Sequence, residues 1–171
     1  MDRRSFVETT LAAGAALAAA PTSAPAVPSS ARRAPKFKLA YAPHFGMFRQ
    51  HAGEDLVAQL EFMAAEGFTA FEDNGMGGRP VAEQQRIARA LERLELRMGV
   101  FVAHTIGWTE ANLASGDPAA REAFLTEIRA SVDVARRVGA TWMTVVPGHV
   151  DRRLAMSYQT ANVVEALKRA A

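Results

Sequence analysis

Four short apolar runs, each closed by a polar tip and each followed by an amphipathic stretch, constrain this chain more than any other feature. The runs are Phe37–Ala42, Phe68–Phe71, Met98–Ala103 and Trp142–Val146, and their tips are His44, Glu72-Asp73-Asn74, His104 and His149. They are continuously apolar rather than alternating, as strands of a parallel sheet covered by helices are. Repetition of strand, polar tip and helix gathers the tips on one rim, and in (β/α) barrels the chemistry sits on the carboxyl rim.

The helices are expected from period and end signals. In Glu54–Glu66, Leu56, Leu60, Met63 and Ala64 share a face, acids open the first turn, and Gly67 suits the left-handed position after the helix. Pro80–Leu96 repeats the pattern through Gln84, Ile87, Leu91 and Leu94, with Pro80 at the first helical position. Pro118–Val138 has Asp117 as N-cap, a stripe of Leu125, Ile128, Val132 and Ala135, and Gly139 as its stop. Ser157 is the expected cap of the last helix, whose face reads Ala161, Val164 and Leu167.

From His44 to Glu72 is 28 residues, from Asp73 to His104 is 31 and from His104 to His149 is 45, against roughly 30 for one βαβ unit. The excess falls in the loop Thr105–Asp117, and loops of that length in compact domains are usually lids or binding loops. Trp108 on it is placed to cover a ligand or to pin the loop to the rim. Residues 37–171 amount to 135 residues, about half of the ~250 of an eightfold barrel. A small doubly wound sheet is the competing α/β architecture. Half a TIM barrel is favoured because a polar tip recurs after every run and no Gly-x-Gly-x-x-Gly follows the first. Gly75-Met76-Gly77-Gly78-Arg79 lacks phosphate-loop spacing and reads as a flexible turn.

Ahead of the first run, Arg3-Arg4-Ser5-Phe6, the alanine-rich segment Leu11–Ala20 and a Pro/Ser-rich stretch follow the order of a twin-arginine export signal, with residues 1–26 removed at Ala24-Pro25-Ala26 and 27–36 left as linker. The expected location is the periplasm. Ten apolar residues are half the roughly 20 needed to span a bilayer, so no membrane span is expected. Loss of Arg3, Arg4, Asp2 and Glu8 leaves 18 basic and 16 acidic residues and a net charge of +2, which points to neither nucleic acid nor a membrane surface. The absence of cysteine excludes disulfides, thiolate catalysis and cysteine-bound metal.

Singly, each rim histidine reads as a structural hydrogen-bonder, His51 as a solvated loop residue, and Glu72-Asp73 as caps or partners of Arg79. Convergence of four neighbouring tips changes that, because histidine and carboxylate bind hydroxyls and move protons. Neither His-x-x-x-His, His-Glu-x-x-His nor Gly-x-Ser-x-Gly is present, so no metal site and no hydrolase triad is expected in this segment.

Ala42-Pro43-His44-Phe45-Gly46-Met47-Phe48, Ala70-Phe71-Glu72-Asp73-Asn74-Gly75-Met76, Val102-Ala103-His104-Thr105 and Thr144-Val145-Val146-Pro147-Gly148-His149 resemble the first half of the hydroxypyruvate isomerase-like proteins, in the xylose-isomerase-like TIM-barrel superfamily. The resemblance covers residues 37–171. It implies isomerisation of hydroxypyruvate to tartronate semialdehyde (2-hydroxy-3-oxopropanoate) in the full-length form, with a divalent cation, Mg or Mn, and a proton-transfer pair of glutamates supplied from strands five to eight. On this reading the catalytic residues lie beyond Ala171, and this half holds no metal and is inactive alone. It contributes His44, Glu72, Asp73, Asn74, His104 and His149 as ligands of a small sugar or sugar acid, with Met47, Phe48 and Trp108 as pocket wall or lid. Two alternatives stand beside it: a sugar epimerase of the same superfamily, and a non-catalytic periplasmic binding half-barrel that forms a homo-oligomer.

Overall fold

The computed structural model describes residues 36–171. Residues 1–26, expected to be an export signal, and all of the expected linker 27–36 except Lys36 lie outside the described residues. Among those described, no helix is long and apolar enough to cross a membrane.

Five α-helices follow in order: α1 (Arg49–Ala52), α2 (Leu56–Ala65), α3 (Val81–Leu94), α4 (Pro118–Val138) and α5 (Met156–Ala170). Two strands, β1 (Ala70–Phe71) and β2 (Arg97–Met98), pair in parallel with Ala70 opposite Arg97. Single parallel bridges, His44 to Glu72 and Val102 to Thr144, extend the order, so the four apolar runs lie side by side as 1-2-3-4. That sequential parallel order, with a helix after each run, is the barrel arrangement and not a doubly wound one, in which the order reverses at a switch point.

The pairing is sparser than four full strands. The first run is exposed from Phe37 to Tyr41 and bends where Tyr41 N donates to Leu39 O at 3.0 Å, a three-residue turn that interrupts extended backbone. Among the described residues its backbone is tied to its neighbour by Phe37 N, donating to Gly67 O at 3.2 Å, and by the bridge at His44, where Glu72 N donates to Pro43 O at 3.1 Å.

Asp55 caps α2 by accepting from Ala58 N at 2.9 Å, and Asp117 caps α4 by accepting from Ala119 N at 3.0 Å. Gly67 and Gly139 take positive φ after their helices. Pro80 sits one place earlier than expected, as the N-cap of α3. The short helix α1 is an addition, and it moves His51 out of a loop and onto Phe62, with rings stacked at 5.4 Å. Ser157 does not cap the last helix; α5 starts after Ala155, which has no side-chain cap bond.

Two faces differ from the apolar pattern. On α4 the buried set is Phe124, Leu125, Ile128, Ser131, Val134 and Val138, while Val132 and Ala135 are half-buried. On α5, Ala161, Val164 and Leu167 are exposed, and Gln159 and Ala166 are buried. The cause is common to both. Ser131 donates to Ala103 O at 2.7 Å, Gln159 bonds the preceding loop, and Asn162 donates to Ala114 O at 3.1 Å, so polar residues hold inward places that apolar periodicity leaves out.

The core has two parts. One gathers Leu60, Met63, Phe71, Ile87, Leu91, Met98 and Phe101 under α2 and α3, and the other gathers Ala103, Leu113, Phe124, Leu125, Ile128 and Ala166 between α4 and α5. The end of the long loop belongs to the second: a 3₁₀ turn at Leu113–Ser115 buries Leu113 and Ala114.

Candidate functional site

Adjacent residues on a strand face opposite sides, and at the second tip this separates Glu72 from Asp73. Phe71 and Asp73 face the helices. Phe71 packs on Phe45 with ring centroids at 4.5 Å, and Asp73, 6 % exposed, accepts from Arg79 Nε at 2.5 Å and from Gly75 N at 3.2 Å. The Arg79 guanidinium also donates to Glu83 at 3.1 Å and lies 5.0 Å over the Phe45 ring. Burial works against the Arg79 cation, but its hydrogen bonds to Asp73 and Glu83 outweigh that and hold its pKa above the ordinary arginine value. Asp73 is thus the anchor of the turn that follows it.

Glu72 points to the other face. Its carboxylate is half-buried and makes no hydrogen bond or ion pair among the described residues. The space beside it is kept by Gly99, where a Cβ would lie 3.6 Å from Glu72 Cβ, 3.8 Å from Ala42 Cβ and 3.0 Å from Phe71 O. His44, its bridge partner, is exposed, with Nδ1 2.8 Å from Phe45 O and Nε2 unbonded among the described residues.

His104 is buried, and both of its ring nitrogens are committed. Nδ1 donates to Thr105 O at 2.9 Å, and Nε2 accepts from Val146 N at 3.2 Å, which fixes the neutral tautomer with its proton on Nδ1. The ring stands edge-on to Phe124 at 5.1 Å. His149 is exposed and held by its own backbone, its N–H donating to Gly107 O at 2.8 Å. Beyond it, Asp151 has a pKa lowered to about 2 by hydrogen bonds from the Arg153 side chain and amide.

Two rim clefts divide the expected ligand residues. One, of about 430 Å³, is lined by His44, Asp73 and Asn74 together with Arg49, Glu54 and Arg79. The other, of about 750 Å³, is lined by Asn74, His104 and Trp108 with Gly77, Glu127 and Ser131. Asn74 and Gly75 are the shared wall. Glu72 and His149 line neither of these two. Phe48 departs from its expected place at the mouth: just before α1, it packs on Phe62 and Phe68, with centroids at 5.2 and 5.7 Å, and against the core under α2 and α3. Met47 is 57 % exposed and walls neither cleft. Trp108 is 70 % exposed over its cleft.

Glu127 and Ser131 were not among the residues expected at the rim. Glu127 accepts from Thr105 N and Ser131 donates to Ala103 O, both from α4. Their signal in the sequence is only their spacing of four along the helix. Among the described residues no group of three or more histidines and acids converges as a cation would need. Asp73 is already paired and Glu72 faces away from it, so this part of the chain does not fit a divalent ion and no step is assigned to one.

No curated protein matches the chain by sequence. Among solved structures, it is similar to a D-psicose 3-epimerase crystallised in the presence of D-fructose, with a TM-score of 0.56 and 16 % identity. The match covers 68 % of this chain and 42 % of the epimerase, so the chain spans less than half of that protein's length. At that identity the likeness is one of fold. The family model described as xylose isomerase-like TIM barrel matches residues 60–171, which takes in every helix from α3 onward and three of the four rim tips. On its sequence and its sequential parallel architecture together, the chain belongs to the xylose isomerase-like TIM barrel family.

Proposed function

We propose that residues 37–171 are the amino-terminal half of a (β/α)8 sugar isomerase that interconverts hydroxypyruvate and tartronate semialdehyde. The observation that carries this reading is the Glu72 carboxylate, unpaired among the described residues, on a half-buried residue beside Gly99 and bridged to His44 on the next run. An unpaired carboxylate accepts hydrogen bonds from hydroxyls, Nε2 of His44 accepts from one as well because its Nδ1 is given to Phe45 O, and the exposed His149 imidazole can donate to a carboxylate or carbonyl. Hydroxypyruvate offers all three groups on three carbons. In the reaction a proton leaves the hydroxyl-bearing C3, its electron pair moves into an enediolate, the C3 hydroxyl proton passes to the C2 oxygen, and a proton is delivered to C2, which leaves C3 as the aldehyde and balances atoms and charge. Glu72, His44 and His149 hold the substrate in this scheme. They are not assigned the carbon-to-carbon proton transfer.

Calorimetric titration of the chain tests the substrate. A site built on a hydroxyl acceptor rejects the analogue that lacks the hydroxyl, so hydroxypyruvate should bind at least about tenfold tighter than pyruvate, and Glu72→Gln should erase the difference. Equal affinities, or no heat from hydroxypyruvate, would overturn the reading.

We also propose twin-arginine export to the periplasm, supported by the order of Arg3-Arg4, the apolar segment and the cleavage zone. Replacing both arginines by lysine should leave the precursor in the cytoplasm; unchanged export refutes it.

A further inference from the structure

Three helices carry a glutamine at the same place. Gln59, Gln84 and Gln159 are each the fourth residue of their helix, in α2, α3 and α5, and are 1, 2 and 2 % exposed. A buried primary amide has two donors and an acceptor to satisfy, and each of the three bonds to backbone between the preceding rim tip and its own helix. Gln59 Oε1 accepts from Gly46 N at 2.8 Å while Nε2 donates to Gly53 O at 2.9 Å. Gln84 Nε2 donates to Met76 O at 3.0 Å and Arg79 O at 2.8 Å, and its Oε1 accepts from Arg137 on α4. Gln159 Oε1 accepts from Asp151 N at 2.7 Å, and Nε2 donates to Asp151 O at 2.9 Å and Leu154 O at 3.1 Å.

The anchored residue falls two or three places beyond a rim tip each time: Gly46 after His44, Met76 after Asp73, Asp151 after His149. One turn into a helix, a side chain leans back toward the amino end, over the loop that leads in. Glutamine is long enough to reach that loop and neutral enough to be buried there, and its amide serves N–H and C=O groups alike. Leucine or methionine would leave those groups orphaned.

We propose that Gln59, Gln84 and Gln159 are a repeated positioning device that sets the loops bearing His44, Asp73-Asn74 and His149 against the rim, an inference that rests on the rim being the substrate site. They touch no substrate. The third unit departs from the device, with the half-buried Arg121 at the fourth place of α4. Its longer loop is tied instead by Glu127 and Ser131 of α4 and by Asn162 of α5, which donates to Ala114 O at 3.1 Å.

Amide hydrogen exchange on the purified chain, resolved by residue, tests the device. In wild type, Gly46 and Asp151 amides should be protected although both lie in loops. Gln59→Met should speed exchange at Gly46 about tenfold and leave Asp151 unchanged, and Gln159→Met should do the reverse. Gln59→Glu, which keeps the acceptor oxygen, should restore protection at Gly46, an outcome that simple loss of stability does not give. Unprotected amides in wild type, or a uniform rise across the chain in either variant, would overturn the anchoring. Given wild-type binding of hydroxypyruvate, loosened loops that leave its Kd unmoved would overturn the positioning role. Absence of wild-type binding would instead refute the substrate reading and leave the exchange result standing.

Discussion

Val146 N–H donates to Nε2 of His104 at 3.2 Å and so ties the end of the fourth run to the tip of the third. With Nδ1 bonded to Thr105 O, the imidazole spans the gap beyond the single bridge Val102 to Thr144 and acts as a rung of the sheet.

Removing that rung should be costly. His104→Ala leaves the Val146 amide without its acceptor and takes away the edge-on contact with Phe124, which together should cost about 1–3 kcal/mol. The measurement is the urea midpoint of the variant against wild type, with Val146 amide exchange as the local reporter. Unchanged stability and unchanged exchange at Val146 would show that the ring is not a strut.

The two neighbouring acids of the second tip should part company on mutation. Asp73→Asn strips one of the two counter-charges from a mostly buried Arg79 and should destabilise by about 1–2 kcal/mol, less than for a fully buried pair because Glu83 remains and the guanidinium keeps some solvent contact. Glu72→Gln removes no partner and should stay within about 0.5 kcal/mol of wild type, while losing discrimination for the hydroxyl of hydroxypyruvate. A stability loss at Glu72 equal to that at Asp73 would contradict the assignment of opposite faces.

That distinction could not be read from Glu72-Asp73-Asn74 as a string, since both acids follow the same apolar run and only the register of a strand decides which meets a helix. The repeat of run, tip and helix was legible because continuous apolar stretches and end signals are local. So were the bounds of α4, which is opened by Asp117-Pro118 and closed by Gly139. The inward face of α5 was not. Gln159 and Asn162 occupy it because loop carbonyls and amides need partners there, and apolar periodicity is blind to that requirement. Phe48 was misplaced for a similar reason: the single turn Arg49–Ala52 carries no apolar period, yet it decides which way the preceding aromatic faces.

At the fourth tip, Asp151 should titrate at about 2, well below the ordinary carboxylate, because Arg153 bonds its ionised form through side chain and amide. A depressed folded pKa contributes stability above the unfolded value and loses it as pH falls through the folded one. The turn 151–154 should therefore hold down to about pH 4 and loosen between there and about 2. Carboxyl-detected NMR titration gives the value directly, and Arg153→Ala should return it toward the ordinary aspartate value of 3.8. A midpoint near 3.8 in the unaltered chain would show that the Arg153 bonds do not persist in solution.

The outer runs of the parallel order carry the most exposed apolar side chains of the sheet: Phe37, Leu39 and Tyr41 on the first, at 45, 64 and 53 % exposure, and Trp142 at the start of the fourth, at 74 %. Among the described residues both edges present unpaired backbone in the same strand direction, so the fourth run of one copy can extend the sheet of another through its first run without reversing polarity. Exposed apolar edges of this kind favour pairing between chains. The 171-residue chain should accordingly self-associate at micromolar concentration, with light scattering giving masses above the monomer. Charge placed on an edge opposes such pairing, so Leu39→Lys together with Trp142→Lys should shift the distribution toward monomer while the helical circular dichroism stays constant. A wild-type chain that is already a monodisperse monomer with cooperative unfolding would show that the edges are closed in solution, and with that the half-barrel reading of residues 37–171 would fail.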